Sequence, residues 1–158
     1  VFRIGHGYDV HRLAGGRTLI LGGVRIPHAF GLQGHSDADV LTHAVADALL
    51  GALGLGDIGR HFPDTAPEYK DVESLSLLKE VVAWVRQRGF RLNNLDVTVV
   101  AQAPRLGPYI PAMCERLAEV LEAPSDRVNI KATTTERLGF CGREEGIEAF
   151  AVASLVTD

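Results

Sequence analysis

Asp9-Val10-His11 is a pair of metal-type donors two residues apart. On a β-strand, residues at that spacing point to the same face. Asp9 and His11 therefore present a carboxylate oxygen and an imidazole nitrogen to one point. His43 lies in a stretch with helical patterning and is placed to add a second imidazole. Three N/O ligands with a free fourth position is the arrangement of a catalytic zinc, whereas structural zinc is closed by four protein ligands. Spacing alone leaves a second reading open, in which Asp9 and His11 make local hydrogen bonds and His43 is a surface residue. Asp39 and Asp47 stand four residues to either side of His43 and share its helix face. Asp47 is expected to accept the other ring N–H of His43, or that of a neighbouring ligand.

Three further segments carry groups suited to phosphate or nucleotide chemistry. His35-Ser36 leads into the first helix, where an imidazole, a hydroxyl and a helix N-terminus suit a phosphate; Ser36 also reads as the N-cap. Lys131-Ala132-Thr133-Thr134-Thr135-Glu136 lines up hydroxyls and backbone N–H groups before a carboxylate. A carboxylate there suits a hard cation such as Mg²⁺ shared with substrate phosphates. The same segment also reads as a β-branched strand ending in a solvated Glu. In Ala101-Gln102-Ala103-Pro104-Arg105-Leu106-Gly107-Pro108, small residues let a flat base approach the backbone and Arg105 suits a phosphate; an ordinary strand-to-helix turn fits equally. Gly54-Leu55-Gly56-Asp57-Ile58-Gly59 matches G-x-G-x-x-G but follows a helix, whereas the dinucleotide fingerprint follows a strand. His6 and His28 read as structural or exposed.

The elements that must position these groups are legible from patterning. Phe2 to Tyr8 reads as a first strand, and Thr18–Leu21, Gly22-Gly23 and Val24–Ile26 as a hairpin. Gly31 to Gly34 reads as a loop, and a helix runs from Ser36 to about Leu53 with an apolar stripe through Leu41, Val45, Ala48, Leu49 and Ala52. Gly54 to Pro67 is irregular and rich in Gly, Pro and Asp, as a functional loop is. Helices follow from Val72 to Arg88, with Gly89 at C′, and from Pro108 to Leu121; strands are Asn94–Ala101, Arg127–Thr133 and Ile147–Val156. This order predicts an α+β fold: one domain over 1–158, a mixed sheet with helices on one face in the ferredoxin-like style. In the last strand, Ala149, Ala151 and Ala153 alternate with Phe150 and Val152, so both sheet faces are apolar. Helices cover one face, and a neighbouring subunit is expected to cover the other.

Composition bounds the function. With 158 residues, 46% hydrophobic and 23% charged, the chain buries a core without staples. A net charge of −4 gives no general attraction for nucleic acid. Cys114 and Cys141 form no C-x-x-C pair and read as free thiols in a reducing compartment. No apolar run approaches the ~20 residues of a membrane span, and the cytoplasm, or an organelle after processing, is the expected location.

Taken together, the segments resemble the 2-C-methyl-D-erythritol 2,4-cyclodiphosphate synthase family of the non-mevalonate isoprenoid pathway. The resemblance rests on Gly5-His6-Gly7-Tyr8-Asp9-Val10-His11, His35-Ser36-Asp37-Ala38-Asp39-Val40, Ala48-Leu49-Leu50-Gly51, Gly56-Asp57-Ile58-Gly59 with Phe62-Pro63-Asp64, Ala101-Gln102-Ala103-Pro104, and Lys131 through Glu136 to Gly139-Phe140, Gly142-Arg143 and Glu145-Gly146-Ile147. It implies a homotrimer with active sites between subunits, Zn²⁺ on Asp9, His11 and His43, and Mg²⁺ or Mn²⁺ on Glu136 and the substrate's phosphates. It implies that Asp57, Ile58 and Gly59, with Phe62 and Asp64, bind the erythritol, and that Ala101, Ala103, Arg105 and Leu106, with Thr133 and Thr134, hold the cytidine nucleotide. Ser36 is implied in substrate binding, with His35 and Thr134 as transition-state stabilisers. Phe140 and Arg143 complete the implied substrate contacts, and an isoprenoid diphosphate is implied in an axial channel near Arg143. Family members often carry Lys where Arg105 stands, and some carry an acidic residue where Phe150 stands. The implied reaction closes a cyclic diphosphate and releases CMP. Two rivals use the same residues: a zinc hydrolase of nucleotide diphosphates, and a trimeric isoprenoid-diphosphate binder in which zinc is structural.

Overall fold

The computed structural model describes residues 1–158. A five-stranded mixed sheet carries the site. Strand β1 (Phe2–Gly15) pairs along its length with the last strand, β7 (Gly146–Thr157), from Phe2↔Val156 to Arg12↔Gly146, and its far end pairs with β4 (Phe30–Leu32). β5 (Phe90–Val100) lies antiparallel on the other side of β7 and parallel to β6 (Val128–Thr133). The order is β4-β1-β7-β5-β6, and β2 (Leu19–Leu21) and β3 (Val24–Ile26) form a separate hairpin. Gly22 and Gly23 both have positive φ at its turn, the conformation that Gly-Gly supplies.

The helices are α1 (Val40–Leu53), a short α2 (Ile58–His61), α3 (Ser74–Gln87), α4 (Ile110–Leu121) and a one-turn α5 (Gly139–Gly142). α4 is the crossover between the parallel strands β5 and β6. α1, α3 and α4 cover one side of the sheet, as the element order predicts for an α+β fold. Pro108 sits in a 3₁₀ turn over Gly107–Tyr109, so the third long helix starts at Ile110. β1 extends to Gly15, well past Tyr8: residues 9–12 continue the ladder with β7, and residues 13–15 pair with β4, which forms where a loop was expected.

α1 starts at Val40 and not at Ser36. Its cap is Asp39, which is fully buried and accepts the Thr42 N–H and hydroxyl and the N–H groups of Gly22 and Gly23. One carboxylate thus caps the helix and ties the β2–β3 turn to it. Burial, then Asp37 nearby, pushes the Asp39 carboxyl up, against the pull of these donors.

α1 seats on a floor with almost no side chains. A Cβ on Gly5 would fall 1.8 Å from Ala48 O, and one on Gly7 1.8 Å from Ala44 O. Across the ladder, Gly5 pairs with Ala153, Gly7 with Ala151 and Asp9 with Ala149, and these three alanines are fully buried. The helix backbone therefore lies directly on β1. The residues that follow on the same strand face are Asp9 and His11. On the opposite sheet face Ile4, Tyr8, Val10, Phe150 and Val152 are exposed.

Candidate metal centre and substrate site

Asp9 and His11 project from β1 toward His43 on the second residue pair of α1's first turn, and their three donor atoms converge. His11 Nε2 lies 2.9 Å from Asp9 Oδ2, His43 Nδ1 lies 3.0 Å from the same oxygen, and the two ring nitrogens are 3.2 Å apart. Tetrahedral zinc with bonds of about 2.0–2.1 Å needs donors roughly 3.3 Å from one another, so this triangle needs only slight opening to receive the ion. His11 Nδ1–H donates to Gln33 O at 3.0 Å, which leaves the Nε2 lone pair for the centre. Burial raises the Asp9 carboxyl, but the His11 and His43 rings beside it outweigh that and bring it to about 2. Burial lowers His11, and the bond to Asp9 outweighs that, leaving the ring above its ordinary value. A centre this favourable for a proton held between a carboxylate and imidazoles also suits a divalent cation that displaces the proton. The donor set fits a metal.

A cavity of about 480 Å³ opens over this triangle. His35, Ser36, Ile58, Gly59, Phe62 and Asp64 all line it, together with Tyr69. His35 Nε2–H donates to Ala66 O at 2.9 Å, fixing the ring against the 58–69 loop. Asp57 caps α2 by accepting the Arg60 N–H at 3.0 Å. The Phe62 ring is mostly buried, stacked 5.7 Å from Trp84 and edge-on to Tyr69 at 5.4 Å. It anchors the loop on α3.

A second cavity, about 440 Å³, lies at the ends of β5 and β6 and is lined by Ala101, Arg105, Leu106, Thr133 and Thr134. The ladder places the two cavities on one row, because Asp9 pairs with Ala149, Ala149 with Val99, and Val99 with Ala132. Three strand spacings, about 14 Å, separate the metal triangle from the edge strand beside the second cavity.

Residues 2–156 match the model of the YgbB family. The chain belongs to this family. A 2-C-methyl-D-erythritol 2,4-cyclodiphosphate synthase of Geobacter sulfurreducens is 64% identical over 150 residues, covering 95% of this chain and 96% of the relative. Among solved structures, the bifunctional IspDF of Campylobacter jejuni superposes with a TM-score of 0.96 at 45% identity over the whole of this chain, which spans 43% of that longer protein. The Plasmodium falciparum IspF CDP complex has a TM-score of 0.88 at 32% identity, covering 99% of this chain and 97% of the other.

Within this YgbB-family chain, five expected site residues line neither cavity: Asp57, Ala103, Glu136, Phe140 and Arg143. Ala103 lies inside the 101–107 turn, before Pro104. Glu136 sits beyond β6 with φ +54°, its N–H on Thr134 Oγ1, and its carboxylate has no ion-pair partner in the chain. Phe140 and Arg143 lie around α5, where Arg143 pairs with Glu145 at 2.5 Å. Asp47 makes no hydrogen bond to His43. Its Oδ1 accepts the Ile58 N–H at 2.7 Å and so anchors the start of α2. The Nε2 of His43 instead meets Ser74 Oγ at 2.7 Å and Ser36 Oγ at 3.2 Å. Ser74 escaped the sequence reading because a serine at the start of a helix reads as a cap, and its partner is 31 residues away. No helix of the chain is long and apolar enough to cross a membrane.

Proposed function

We propose that the chain converts 4-diphosphocytidyl-2-C-methyl-D-erythritol 2-phosphate to 2-C-methyl-D-erythritol 2,4-cyclodiphosphate and CMP. The observation that carries this reading is the Asp9–His11–His43 triangle beneath a cavity lined by His35, Ser36 and Gly59, in a chain 64% identical to a named cyclodiphosphate synthase. Asp9, His11 and His43 would hold Zn²⁺, and Glu136 a Mg²⁺ or Mn²⁺ shared with the substrate. Such cations supply positive charge that offsets the repulsion between two phosphate groups and the charge building on the leaving oxygen.

The chain's own residues then hold one molecule in a ring-closing pose. The substrate's 2-phosphate oxygen attacks its own β-phosphorus, the bond from β-phosphorus to the bridging oxygen breaks, and CMP leaves with that oxygen. The attacking oxygen is already anionic at neutral pH, so no protein nucleophile or strong base is needed. The work of the protein is positioning. Asp57, Ile58, Gly59 and Asp64 grip the erythritol hydroxyls, with Phe62 holding their loop. The turn from Ala101 through Ala103 to Leu106, with Thr133, holds the cytidine, and Arg105 faces its phosphates. Ser36 holds the 2-phosphate, Thr134 donates its hydroxyl proton to a phosphoryl oxygen of the transition state, and His35 stands beside the metal triangle as the second transition-state stabiliser.

Two features support a homotrimer with sites between subunits. The metal triangle and the nucleotide turn are both edge features on opposite sides of one sheet, so a neighbour's turn can complete the triangle's cavity. The uncovered apolar face with Tyr8, Phe150 and Val152 also needs a partner. Phe140 and Arg143 would then face the trimer axis, where an isoprenoid diphosphate fits. A cytoplasmic location completes the reading.

The test is to mix the protein with its CDP-linked substrate, Zn²⁺ and Mg²⁺ and follow phosphorus NMR. A cyclic diphosphate and CMP are expected, with no oxygen taken up from ¹⁸O-water. Uptake of one labelled oxygen identifies a hydrolase and overturns the reading.

A further inference from the structure

We propose that Ser74 and Asp37 are positioning residues that set the tautomer of His43 and so aim its Nδ1 lone pair at the metal triangle. The proposal rests on the metal reading above, and it concerns two residues outside the expected site set.

Proton counting along the hydrogen bonds carries it. Ser74 Oγ–H donates to Asp37 Oδ1 in a very short contact, and the Ser74 N–H donates to Asp37 Oδ2 at 3.1 Å. A carboxylate only accepts, so the single hydroxyl proton of Ser74 is committed to it. Ser74 Oγ can then meet His43 only as an acceptor. At 2.7 Å, His43 Nε2 must carry the proton. Nδ1 is left with a lone pair, and Nδ1 is the atom 3.0 Å from Asp9 Oδ2 and 3.2 Å from His11 Nε2. Ser36 Oγ accepts the Ala38 N–H and lies 3.2 Å from His43 Nε2, a weaker second acceptor.

The arrangement is built into the packing. Ser74 is 1% exposed and His43 7%, so no solvent substitutes for the hydroxyl. Asp37 is itself fixed, because its Oδ1 also takes the Asp39 N–H at 3.1 Å and its own N–H donates to Val72 O at 3.1 Å. The His35 carbonyl accepts the Asp71 N–H at 2.8 Å, so the segment before α1 is laced to the segment before α3. Relative placement of two helices is thereby read out as the orientation of one imidazole. A metal-ligating histidine ordinarily has such a partner on its second nitrogen, and its loss costs about 10–100-fold in metal affinity.

The test uses the full chain with Zn²⁺ as the probe. Zinc affinity is measured by competition with a chromophoric chelator for the wild type, Ser74→Ala, Ser74→Thr and Asp37→Asn. Long-range ¹H–¹⁵N NMR reads the His43 ring nitrogens in the metal-free protein. Expected is a tenfold or greater loss of affinity in Ser74→Ala, a smaller loss in Asp37→Asn, recovery in Ser74→Thr, and a His43 tautomer that is Nε2–H in the wild type and mixed in Ser74→Ala. If Ser74→Ala unfolds, Asp37→Asn, which keeps the shape, decides alone by the same two readings. Unchanged affinity and tautomer in a folded variant overturn the inference. Absence of zinc binding by the wild type overturns instead the metal reading on which it rests.

Discussion

Gly7 lies against Ala44 with no room between them: a Cβ there would sit 1.8 Å from the Ala44 carbonyl oxygen. The clash is with helix backbone and no rotamer relieves it. Gly7→Ala is expected to cost about 2–3 kcal/mol by overpacking, read as a shift in the urea midpoint. It also lifts α1 off β1, so bound zinc falls well below one per chain. Gly51→Ala is the control, since its nearest contact would be an ordinary 3.7 Å, and replacing a mid-helix glycine gains roughly 0.5–1 kcal/mol.

That relationship explains what the sequence disclosed and what it hid. Asp9 and His11 share a face by strand alternation alone, and the helical stripe of α1 was readable from Leu41, Val45 and Leu49. Both are local periodicities. The Gly5-x-Gly7 seat continues the same alternation, but only a helix lying on the strand gives it meaning. Asp39 as cap, Asp47 as anchor of α2 and Ser74 as partner of His43 depend on contacts between segments distant in the chain. Local pattern therefore assigned the Asp39 capping role to Ser36 and the Ser74 role to Asp47. The far end of β1 was hidden because its last three residues, Leu13–Gly15, pair with a three-residue strand, Phe30–Leu32, too short to show alternation.

Asp47 holds Ile58 N–H at 2.7 Å, and Ile58 and Gly59 line the cavity while Asp47 does not. Asp47→Ala should therefore free the start of α2 without touching the metal. We expect KM for the CDP-linked substrate to rise about tenfold, the loss of one charge-assisted hydrogen bond, with zinc content unchanged. Zinc loss in this variant would return Asp47 to the neighbourhood of His43.

His43→Ala removes one of three converging donors. Zinc measured by atomic emission should drop to trace amounts, and CMP release should fall at least a hundredfold. Full turnover in a zinc-free variant would refute the proposed mechanism. His43 is also buried beneath Ser36 and Ser74, so a far-ultraviolet spectrum must accompany the assay to show that the fold survives.

Acid should release the metal before it unfolds the chain. The bond to Asp9 holds the metal-free His11 ring above its ordinary value of 6.5 despite burial. Its folded pKa is raised, so as pH falls through that value His11 gains a proton that the ion must displace. Zinc affinity should be flat at higher pH and then fall by about tenfold per pH unit for each ring that must lose a proton. Asp9, brought to about 2, stays ionised through this window and takes no part in the slope. Competition titrations between pH 5 and 8 read the onset directly.

Glu136 is the residue proposed to hold the second cation. It stands beyond β6 with no ion-pair partner in the chain, and β6 lies three strands across the sheet from the β1 that carries Asp9 and His11. A single carboxylate binds Mg²⁺ weakly and relies on substrate phosphates for the remaining oxygens. Glu136→Gln keeps the shape and removes the charge. The variant should hold zinc as the wild type does, yet need at least tenfold more Mg²⁺ for half-maximal CMP release, with the maximal rate partly restored at saturating Mg²⁺. Titrating Mg²⁺ at fixed zinc and substrate distinguishes this from a contact to the substrate itself, which would raise KM without moving the Mg²⁺ midpoint. An unmoved midpoint would place the second cation on other oxygens.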